Sequence, residues 1–570
     1  MKKITRGEFL GRSATVAAAL GLTSLSACAR DEQTAESRAG SGIAPDLILT
    51  NGNVYTVDDS QPRAEAFAVK NGRFVAVGSN EDVLNLAGPG TQVIDAAGQT
   101  VVPGFIDCHS HPAGAGLSAL TMIDASQSPS ISNLQGRLRQ RTLETPAGEW
   151  VNANMYDDTK MQEGRKITRQ DLDEVVPNHP ASIRHRSGHA SYYNSRALEM
   201  AGVGREVSDP AGGRFGRDAS GELDGEVSGG ARSVFNGIGR EQEVTAADRQ
   251  AGVKLIFERM AATGLTSVHD AGAGADALAA YFDAYMAGEL SCRVHALVRG
   301  PFEHLAAAGI RSGFGDEWVR IGPVKYTADG AIASRTAYLS EPYIGRPNDR
   351  GIEYMTQAEL NDAVDEAHAN HFRVAIHANG DIPINNVLNA YERALEREAR
   401  PNHRWRIEHC TLVNPQIIAR IKEMGVIPAP FYTYVYWHGD KMHEYGAERL
   451  EWMFAHRSFL DAGVPVAPAS DYGPGPYEPM MALQSMVTRT DFQGTTWGPS
   501  QRVSVEDALR ICTMNGAYAS LEENTKGSIT AGKFADFVIL GQDPHTVDPM
   551  QLIHIPIVRT VVDGRTVHEA

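Results

Sequence analysis

Eight short apolar segments in this 570-residue chain alternate with stretches of helical periodicity. The segments span residues 101–107, 266–270, 292–298, 320–326, 373–377, 404–409, 425–428 and 464–471. Strands that alternate with helices form parallel sheets, because each helix returns the chain to the same end of the sheet. Eight such units close into a barrel. We therefore predict an α/β fold whose main domain, residues 103–514, is a (β/α)8 TIM-type barrel.

The regions that flank this barrel have patterns of their own. About residues 118–250, between the first two strands, are too many for one crossover connection, so we expect an insertion that covers the active site. Residues 46–102 and 515–570 contain short β runs, several of them separated by Asn-Gly or Asp-Gly turns. We expect these two ends to form one small β-sandwich domain.

The N-terminus has the layout of a signal peptide. Residues 1–28 run from a basic start through an apolar stretch to Leu-Ser-Ala-Cys, which resembles the bacterial lipobox and makes Cys28 the expected site of lipidation. Ordinary secretion with cleavage after Ala27 is the alternative. Gly7 stands where a twin-arginine signal has its second arginine, so the export route stays open. We expect an exported protein, periplasmic or anchored to the cell envelope by its lipid, with residues 29–45 as a flexible spacer.

Composition excludes several classes of protein. The net charge is -17, and no cluster of Lys and Arg interleaved with aromatic residues occurs, so nucleic acid is not an expected partner. The five cysteines are far apart and form no C-x-x-C pair, which argues against a disulfide framework and against a thiolate zinc cluster. The expected partner is a small-molecule substrate, membrane association is expected only through the N-terminal lipid, and a homodimer is compatible with the sequence.

Polar residues lie where five of the eight predicted strands end. They are His109 and His111 after the first strand, Lys325 in the fourth, His377 and His409 at the ends of the fifth and sixth, and Asp471 at the end of the eighth. The carboxyl ends of barrel strands converge on one face, so these side chains should meet there. Imidazoles and a carboxylate suit a borderline-soft divalent ion. We predict a metal site with zinc as the preferred ion.

Four motifs carry a resemblance to a known family. Residues 102–111 resemble the P-G-[FL]-[IV]-D-x-H-x-H signature of amidohydrolases, and residues 527–538 resemble their C-terminal G-S-[IL]-x-x-G-K-x-A-D-[LF]-V element. Residues 324–337 and 377–381 are similar to elements of amidohydrolase family 3. The chain is therefore identified as a member of the amidohydrolase superfamily, in the branch of YtcJ-like metal-dependent hydrolases that resembles N-substituted formamide deformylases.

The resemblance implies a ligand set for one or two ions. His109, His111 and Asp471 would hold one metal, His377 and His409 a second, and Lys325, carboxylated by carbon dioxide, would bridge them. An unmodified lysine cannot ligate, and Lys325 would then be a buried lysine paired with Asp329 or Asp471. In that alternative the site holds one metal on His109, His111, His377 and Asp471.

The implied chemistry is hydrolysis of a non-peptide carbon-nitrogen bond of the amide type. A bound metal lowers the pKa of water and polarises a carbonyl group, and Asp471 is placed to shuttle the proton to the departing amine. No Gly-x-Ser-x-Gly motif supports a serine nucleophile. A deaminase or a lactonase on the same site is the alternative, and an inactive lipid-anchored binding protein is a third reading that the six retained ligand positions argue against.

Two further elements point to the substrate. His189 lies in a segment that resembles the family's G-H-x-x-x-x-N-S-x-A-L element, where it would contact the substrate or its oxyanion, or else serve only in packing. The aromatic residues Tyr156, Tyr432, Tyr434 and Trp437 lie where the sequence departs from the family pattern. We expect them to line the pocket and to accept an aromatic or bulky group.

Overall fold

The computed structural model describes residues 44–210, 212–240, 243–300 and 302–570. The predicted signal peptide, Cys28 and nearly all of the predicted spacer lie outside these residues. Across the described part of the chain, no helix combines the length and the apolar character that crossing a bilayer requires.

A parallel barrel forms the centre of the fold, as predicted. Its seven strands pair in chain order. They are Phe105–Ser110, Leu265–Ala273, Arg293–Val298, Val319–Thr327, Val374–Ala378, Arg406–His409 and Ile427–Ala429. We refer to them as the first to seventh barrel strands.

The eighth predicted strand, residues 464–471, closes the barrel without forming a regular strand. Its backbone bonds to both edges of the sheet: Ala467 N–H donates to the Pro428 carbonyl over 2.9 Å, and Cys108 N–H donates to the Pro468 carbonyl over 2.8 Å. Pro465 and Pro468 have no N–H to donate, which prevents a continuous ladder. The prediction of eight regular strands is corrected to seven strands and an irregular closing segment.

The first predicted strand is divided in the structure. Residues Thr100–Pro103 belong to a terminal sheet, and the first barrel strand begins at Phe105. Gly104 lies between them, and a Cβ at this position would be 2.2 Å from Thr266 Oγ1. Glycine is required because the two strands approach closely at this point.

Helices on the outside connect the barrel strands, and all but the short Glu303–Ala307 bury residues against the barrel. They are Pro112–Thr121, Ala246–Ala261, Ala275–Met286, Glu303–Ala307, Gln357–Ala369, Asp381–Arg397 and Pro415–Met424. The longest, Asp381–Arg397, buries residues at a spacing of three to four, including Ile384, Val387 and Leu388. Shorter helices follow the seventh strand, at Tyr434–Trp437, Ala447–Leu450, His456–Asp461, Pro479–Thr488, Val505–Arg510 and Gly516–Ala519.

The segment between the first two barrel strands contains a sheet of its own. Its strands are Ile123–Asp124, Val151–Tyr156, Ala181–His185, Ala190–Tyr193, Gly213–Arg217 and Leu223–Gly229. The helices Ile131–Glu144, Arg169–Asp173 and Ser195–Met200 belong to the same segment. Residues that end or follow these strands reach the cavity described below, so the insertion supplies part of the site.

The two ends of the described chain contribute to two further sheets. One contains Leu47–Thr50, Ala66–Lys70, Arg73–Gly78 and Gln92–Asp95, with the short helix Asn80–Leu84 beside it. The other contains Asn53–Tyr55, Arg63–Ala64, Thr100–Pro103, Phe537–Leu540, Ile557–Val562 and Arg565–Glu569. Their apolar faces share one core, in which the rings of Phe67 and Phe537 are 4.9 Å apart.

A buried ion pair joins the third barrel strand to the C-terminal segment. Arg293 Nε and Nη2 donate to the two carboxylate oxygens of Asp536 over 2.8 Å and 3.0 Å. The guanidinium also lies 3.9 Å from the centre of the Phe534 ring. A buried bidentate pair of this kind fixes the orientation of the two parts that it joins.

We predict that Asp536→Ala destabilises the fold by about 3 kcal/mol, because the buried Arg293 charge loses its bidentate partner and keeps only one carboxylate contact, from Nη2 to Asp563 over 3.3 Å. The matched control is Asp365→Ala, which removes the partner of the partly exposed Arg393 and Arg397 and should cost about 1 kcal/mol or less. Urea-induced unfolding followed by fluorescence compares the two variants. Equal losses in both would contradict the role of the Arg293–Asp536 pair.

Candidate metal centre

The carboxyl ends of the barrel strands open into a cavity of 1320 Å³. All six predicted ligands and His189 line it, namely His109, His111, His189, Lys325, His377, His409 and Asp471. Residues from distant parts of the chain meet here because parallel strands end on one face of a barrel.

His109, His409 and Asp471 form the tightest group in the cavity. Each offers one donor atom, and these atoms lie within 4.8 Å of one another. His109 Nε2 is 3.5 Å from Asp471 Oδ1, and His111 Nε2 is 3.2 Å from the same oxygen. Ligands around one divalent ion are separated by comparable distances, because each metal-ligand bond is about 2.0–2.2 Å long.

The hydrogen bonding of the two imidazole rings in this group also fits a metal ion. His109 Nε2 and His409 Nδ1 are buried and have no hydrogen-bond partner among the described residues. Buried polar atoms in proteins almost always have a partner. Beside the Asp471 carboxylate lie the unpartnered Nε2 of His109, at 3.5 Å, and the Nε2 of His409, at 4.0 Å. Imidazole nitrogens beside a carboxylate are a donor set that a divalent cation satisfies.

His409 lies next to members of both ligand groups that the family resemblance implies. His409 lies with His109 and Asp471, and their two imidazole rings are 4.5 Å apart. His377 lies on the other side of His409, again with a ring separation of 4.5 Å. The Nε2 atom of His377 is 3.0 Å from the Gly330 carbonyl, so Nδ1 is the nitrogen left for a metal.

Unusual backbone conformations orient two of these residues. His409 has φ +69° and Asp471 has φ +53°. Residues other than glycine rarely adopt positive φ, and each such residue costs about 1–3 kcal/mol. At His409 this conformation breaks the alternation of the sixth strand, so Glu408 and His409 both face the barrel interior. Strain of this kind is typical of functional sites.

Glu408 is a residue of this centre that the sequence analysis did not identify. Its carboxylate contacts His109 Nδ1, and its other oxygen is 2.7 Å from Arg406 Nε. Burial by itself raises the pKa of Glu408, but the charges of Arg406 and His109 outweigh this and lower it to about 2. An ionised Glu408 accepts a hydrogen bond from the N–H at Nδ1 of His109. Nε2 of His109 then carries no proton and is free to bind a metal. The alternation of residues 406 and 408 along the strand was the signal that could have identified it.

Lys325 is buried in the same cavity wall. Its exposed fraction is 6%, and burial lowers its pKa to about 8. Asp329, one of its suggested partners, instead accepts hydrogen bonds from the backbone N–H groups of Asn379 and Gly380 over 2.9 Å and 3.0 Å. Asp329 therefore holds the loop after the fifth strand.

His189 extends the row of histidines toward the insertion. Its ring is 5.9 Å from the His377 ring, and its Nδ1 is hydrogen-bonded to the Tyr354 hydroxyl over 3.1 Å. Burial, followed by the charge of Arg232, lowers the pKa of His189 to about 4. The imidazole is therefore neutral at pH 7.

The four aromatic residues that were expected to line the pocket lie elsewhere. Tyr156 is in the core of the insertion, where its hydroxyl accepts from Ile167 N–H over 2.7 Å. Tyr432 is fully buried, Tyr434 stacks on Phe431, and Trp437 lies behind Arg186. None of the four lines the cavity. Large aromatic side chains gain most from burial, so an aromatic run by itself predicts a core better than a binding surface.

A second group of possible ligands consists of Asp157, Asp158 and His185. The ammonium of Lys441 lies 3.1 Å and 3.2 Å from the two carboxylate oxygens of Asp157. The Lys441 ammonium therefore neutralises the negative charge of Asp157 without a metal ion. Asp157 and Lys441 therefore tie the insertion to the barrel and provide no argument for a metal.

The fold and the cavity together define a class of protein. A parallel barrel with imidazole and carboxylate donors at its carboxyl end is the arrangement of a metal-dependent hydrolase. The profile of the Amidohydrolase family matches residues 92–568, and the chain belongs to this family of metal-dependent amidohydrolases.

Individual relatives agree with this class. The chain is 31% identical over 534 residues to an N-substituted formamide deformylase of Arthrobacter pascens, covering 91% of this chain and 97% of the relative. It is 28% identical over 542 residues to the putative amidohydrolase YtcJ of Bacillus subtilis (strain 168), covering 92% and 99%. The crystal structure of an uncharacterized metal-dependent hydrolase from Pyrococcus horikoshii OT3 has the same fold, with a TM-score of 0.71, 24% identity and coverage of 88% and 99%.

We predict that Glu408→Gln lowers the affinity for a divalent metal by about 10- to 100-fold, because His109 loses the carboxylate that orients its ring. The substitution preserves size and removes the charge. Zinc titration against a competing chelator measures the affinity. Glu366→Gln, on the exposed face of the helix Gln357–Ala369, is the matched control and should bind zinc like the wild type. Equal affinities in the two variants would exclude this role of Glu408.

Proposed function

We propose that the chain hydrolyses a non-peptide carbon-nitrogen bond in an amide-type small molecule, at a centre of one or two zinc ions. The observation that carries this proposal is the group formed by His109, His409 and Asp471, with its unpartnered imidazole nitrogens, at the strand ends that face the cavity. The N-substituted formamide deformylase among the relatives favours an N-acyl or N-formyl amine as the substrate.

His109, His111, His409 and Asp471 would hold the first ion, and His377 with a carboxylated Lys325 would complete a second position. When bound, the metal polarises the amide carbonyl and makes water acidic enough to react near neutral pH. The chain's own residues do the rest. Their tasks are to hold the substrate, to orient the ligands and to move one proton.

Asp471 is the group that moves the proton. Burial alone would raise the pKa of Asp471, but His111 and His109 outweigh burial and hold it below the usual range of a carboxyl group. The carboxylate is therefore ionised and can accept a proton from the attacking water. It then donates this proton to the nitrogen of the departing amine, which is too basic to leave as an anion.

His189 has a different task in this proposal. With the Tyr354 hydroxyl as the donor to Nδ1, the neutral ring would carry its proton on Nε2. That N–H donates a hydrogen bond to the carbonyl oxygen of the substrate, where negative charge develops as water attacks.

The location of the protein is a further part of the proposal. We propose that residues 1–28 direct export and that Cys28 is lipidated, on the sequence pattern alone. Labelling with a palmitate analogue in bacteria that express the full chain should mark the wild type and not Cys28→Ala.

We predict that the purified chain holds close to two equivalents of zinc and that Lys325→Ala holds close to one, because the bridging ligand is removed. Metal analysis after desalting measures the content. The control is Lys422→Ala, an exposed lysine on the helix Pro415–Met424, which should keep the wild-type content. A wild type without stoichiometric metal would overturn the proposed function, whereas unchanged content in Lys325→Ala would exclude only the bridge.

We predict that Asp471→Asn lowers kcat by about 10²- to 10⁴-fold on N-formyl and N-acyl amines, because the amide side chain cannot accept the proton. The test panel includes a lactone and an aminopurine, so that lactonase and deaminase activity are measured in parallel. Asp461→Asn, at an exposed position, is the control and should keep the wild-type kcat. Unchanged turnover in Asp471→Asn would remove this residue from the mechanism.

A further inference from the structure

Three arginines line the wall of the cavity beyond His189. Arg184 lies in the strand Ala181–His185, Arg232 in the short 3-10 helix Gly230–Phe235, and Arg299 directly after the third barrel strand. Two of them come from the insertion and one from the barrel. The surface exists only when the insertion is folded against the barrel.

These arginines have no acidic partner among the described residues, although the chain as a whole carries a net charge of -17. The ion pairs of the insertion and of the neighbouring helices involve other arginines, such as Arg205 and Arg249. The contact that Arg232 makes with protein is weak, a distance of 3.5 Å from Nε to the Gly229 carbonyl.

Five of the six carboxylates that line the same cavity are engaged elsewhere, and the sixth, Glu353, has no ion pair among the described residues. Asp270 accepts from the Tyr281 hydroxyl over 2.6 Å, Asp276 pairs with Arg249 at 3.0 Å, and Glu359 caps its own helix through Thr356. Asp471 belongs to the metal centre. Asp124 accepts from Ser126 N–H over 3.0 Å at the start of its own 3-10 helix. Three guanidinium groups against the single free carboxylate of Glu353 leave this part of the cavity with a net positive charge.

The three guanidinium groups face the same cavity. Partial desolvation at the cavity wall, followed by the charge of Arg232, lowers the pKa of Arg184, whose side chain remains exposed to the cavity. Guanidinium groups nevertheless remain protonated in proteins. Three like charges facing one cavity repel each other until an anion neutralises them.

The cluster also has a defined position relative to the metal centre. The Arg184 guanidinium lies close to the backbone of Gly188, since a Cβ at this glycine would be 3.6 Å from Arg184 Nη2. The next residue, His189, is the last in the row of histidines that begins at His109. The backbone carbonyl of His189 accepts from Gly229 N–H over 3.0 Å, next to the helix that carries Arg232. A substrate held at the metal centre would extend past His189 to this wall.

We propose that Arg184, Arg232 and Arg299 form a subsite for an anionic group of the substrate, a carboxylate or a phosphate. Guanidinium groups bind both with paired N–H donors, and this geometry favours them over neutral groups. The inference rests on the proposed function, since it specifies which amides the centre hydrolyses. The substrate class is N-acyl or N-formyl amines that carry a negative charge away from the scissile bond.

The first test compares substrates of matched size. N-formyl-para-(aminomethyl)benzoate and the corresponding phenyl phosphate are assayed against the neutral N-formyl-para-(aminomethyl)benzamide. We expect kcat/KM to be at least about tenfold higher for one or both anions. The preferred anion shows whether the substrate carries a carboxylate or a phosphate. Each of Arg184→Gln, Arg232→Gln and Arg299→Gln should lower the ratio of anionic to neutral kcat/KM about tenfold, a fold-change of about 1.4 kcal/mol.

The control for these variants is Arg205→Gln, an exposed arginine of the insertion that pairs with Glu222 outside the cavity. It should keep the wild-type ratio. Hydrolysis of the neutral and anionic amides with equal kcat/KM would overturn the subsite and leave the proposed function intact.

The second test does not depend on turnover. Binding of benzoate and of phenyl phosphate to the purified full chain is measured by calorimetry, and we expect the dissociation constant to rise about tenfold in Arg232→Gln and to stay unchanged in Arg205→Gln. Binding of this kind without hydrolysis of any amide would support the subsite and overturn the proposed function. Absence of binding of both anions to the wild type would overturn the subsite.

Discussion

The structure of the centre depends on one buried chain of charges inside the barrel, from Arg406 through Glu408 to His109. Arg406 and Glu408 have exposed fractions of 0%, so neither charge is solvated and each needs the other. The pair lies in the sixth strand and reaches across the barrel to the first. It sets the tautomer of His109 and therefore the nitrogen that faces the cavity. The metal site is in this sense part of the core.

The cavity combines two environments that the fold keeps apart. On the barrel side, the surrounding structure holds the histidines and Asp471 in fixed positions. It also stabilises the unfavourable backbone conformations of His409 and Asp471. On the insertion side, Arg184 and Arg232 face open space. Such a division is useful to a hydrolase, because chemistry needs fixed donors whereas substrate selection needs a surface that can differ between relatives.

Much of the fold was readable in the alternation of apolar segments and helices, because a parallel strand must be buried and must be followed by a crossover. Seven of the predicted strands occur in the structure, and the polar residues at their ends reach one cavity. The eighth segment was predicted as a strand because it is apolar, but its prolines interrupt the ladder. The aromatic residues near 432–437 were predicted to contact the substrate, yet they are packed in the interior or behind Arg186, since local composition does not reveal which way a loop faces.

The strand ends and the six candidate ligands followed from residue order, because parallel topology brings strand ends together whatever the intervening loops do. The class of reaction came from the resemblance of four sequence motifs to the amidohydrolases. Tertiary structure decided the rest. It grouped His409 with His109 and Asp471, it revealed Glu408 as the partner of His109, and it gathered three arginines from the insertion and the barrel into one wall. These relations depend on distances between segments far apart in the chain, and such distances are set only when the segments pack against one another.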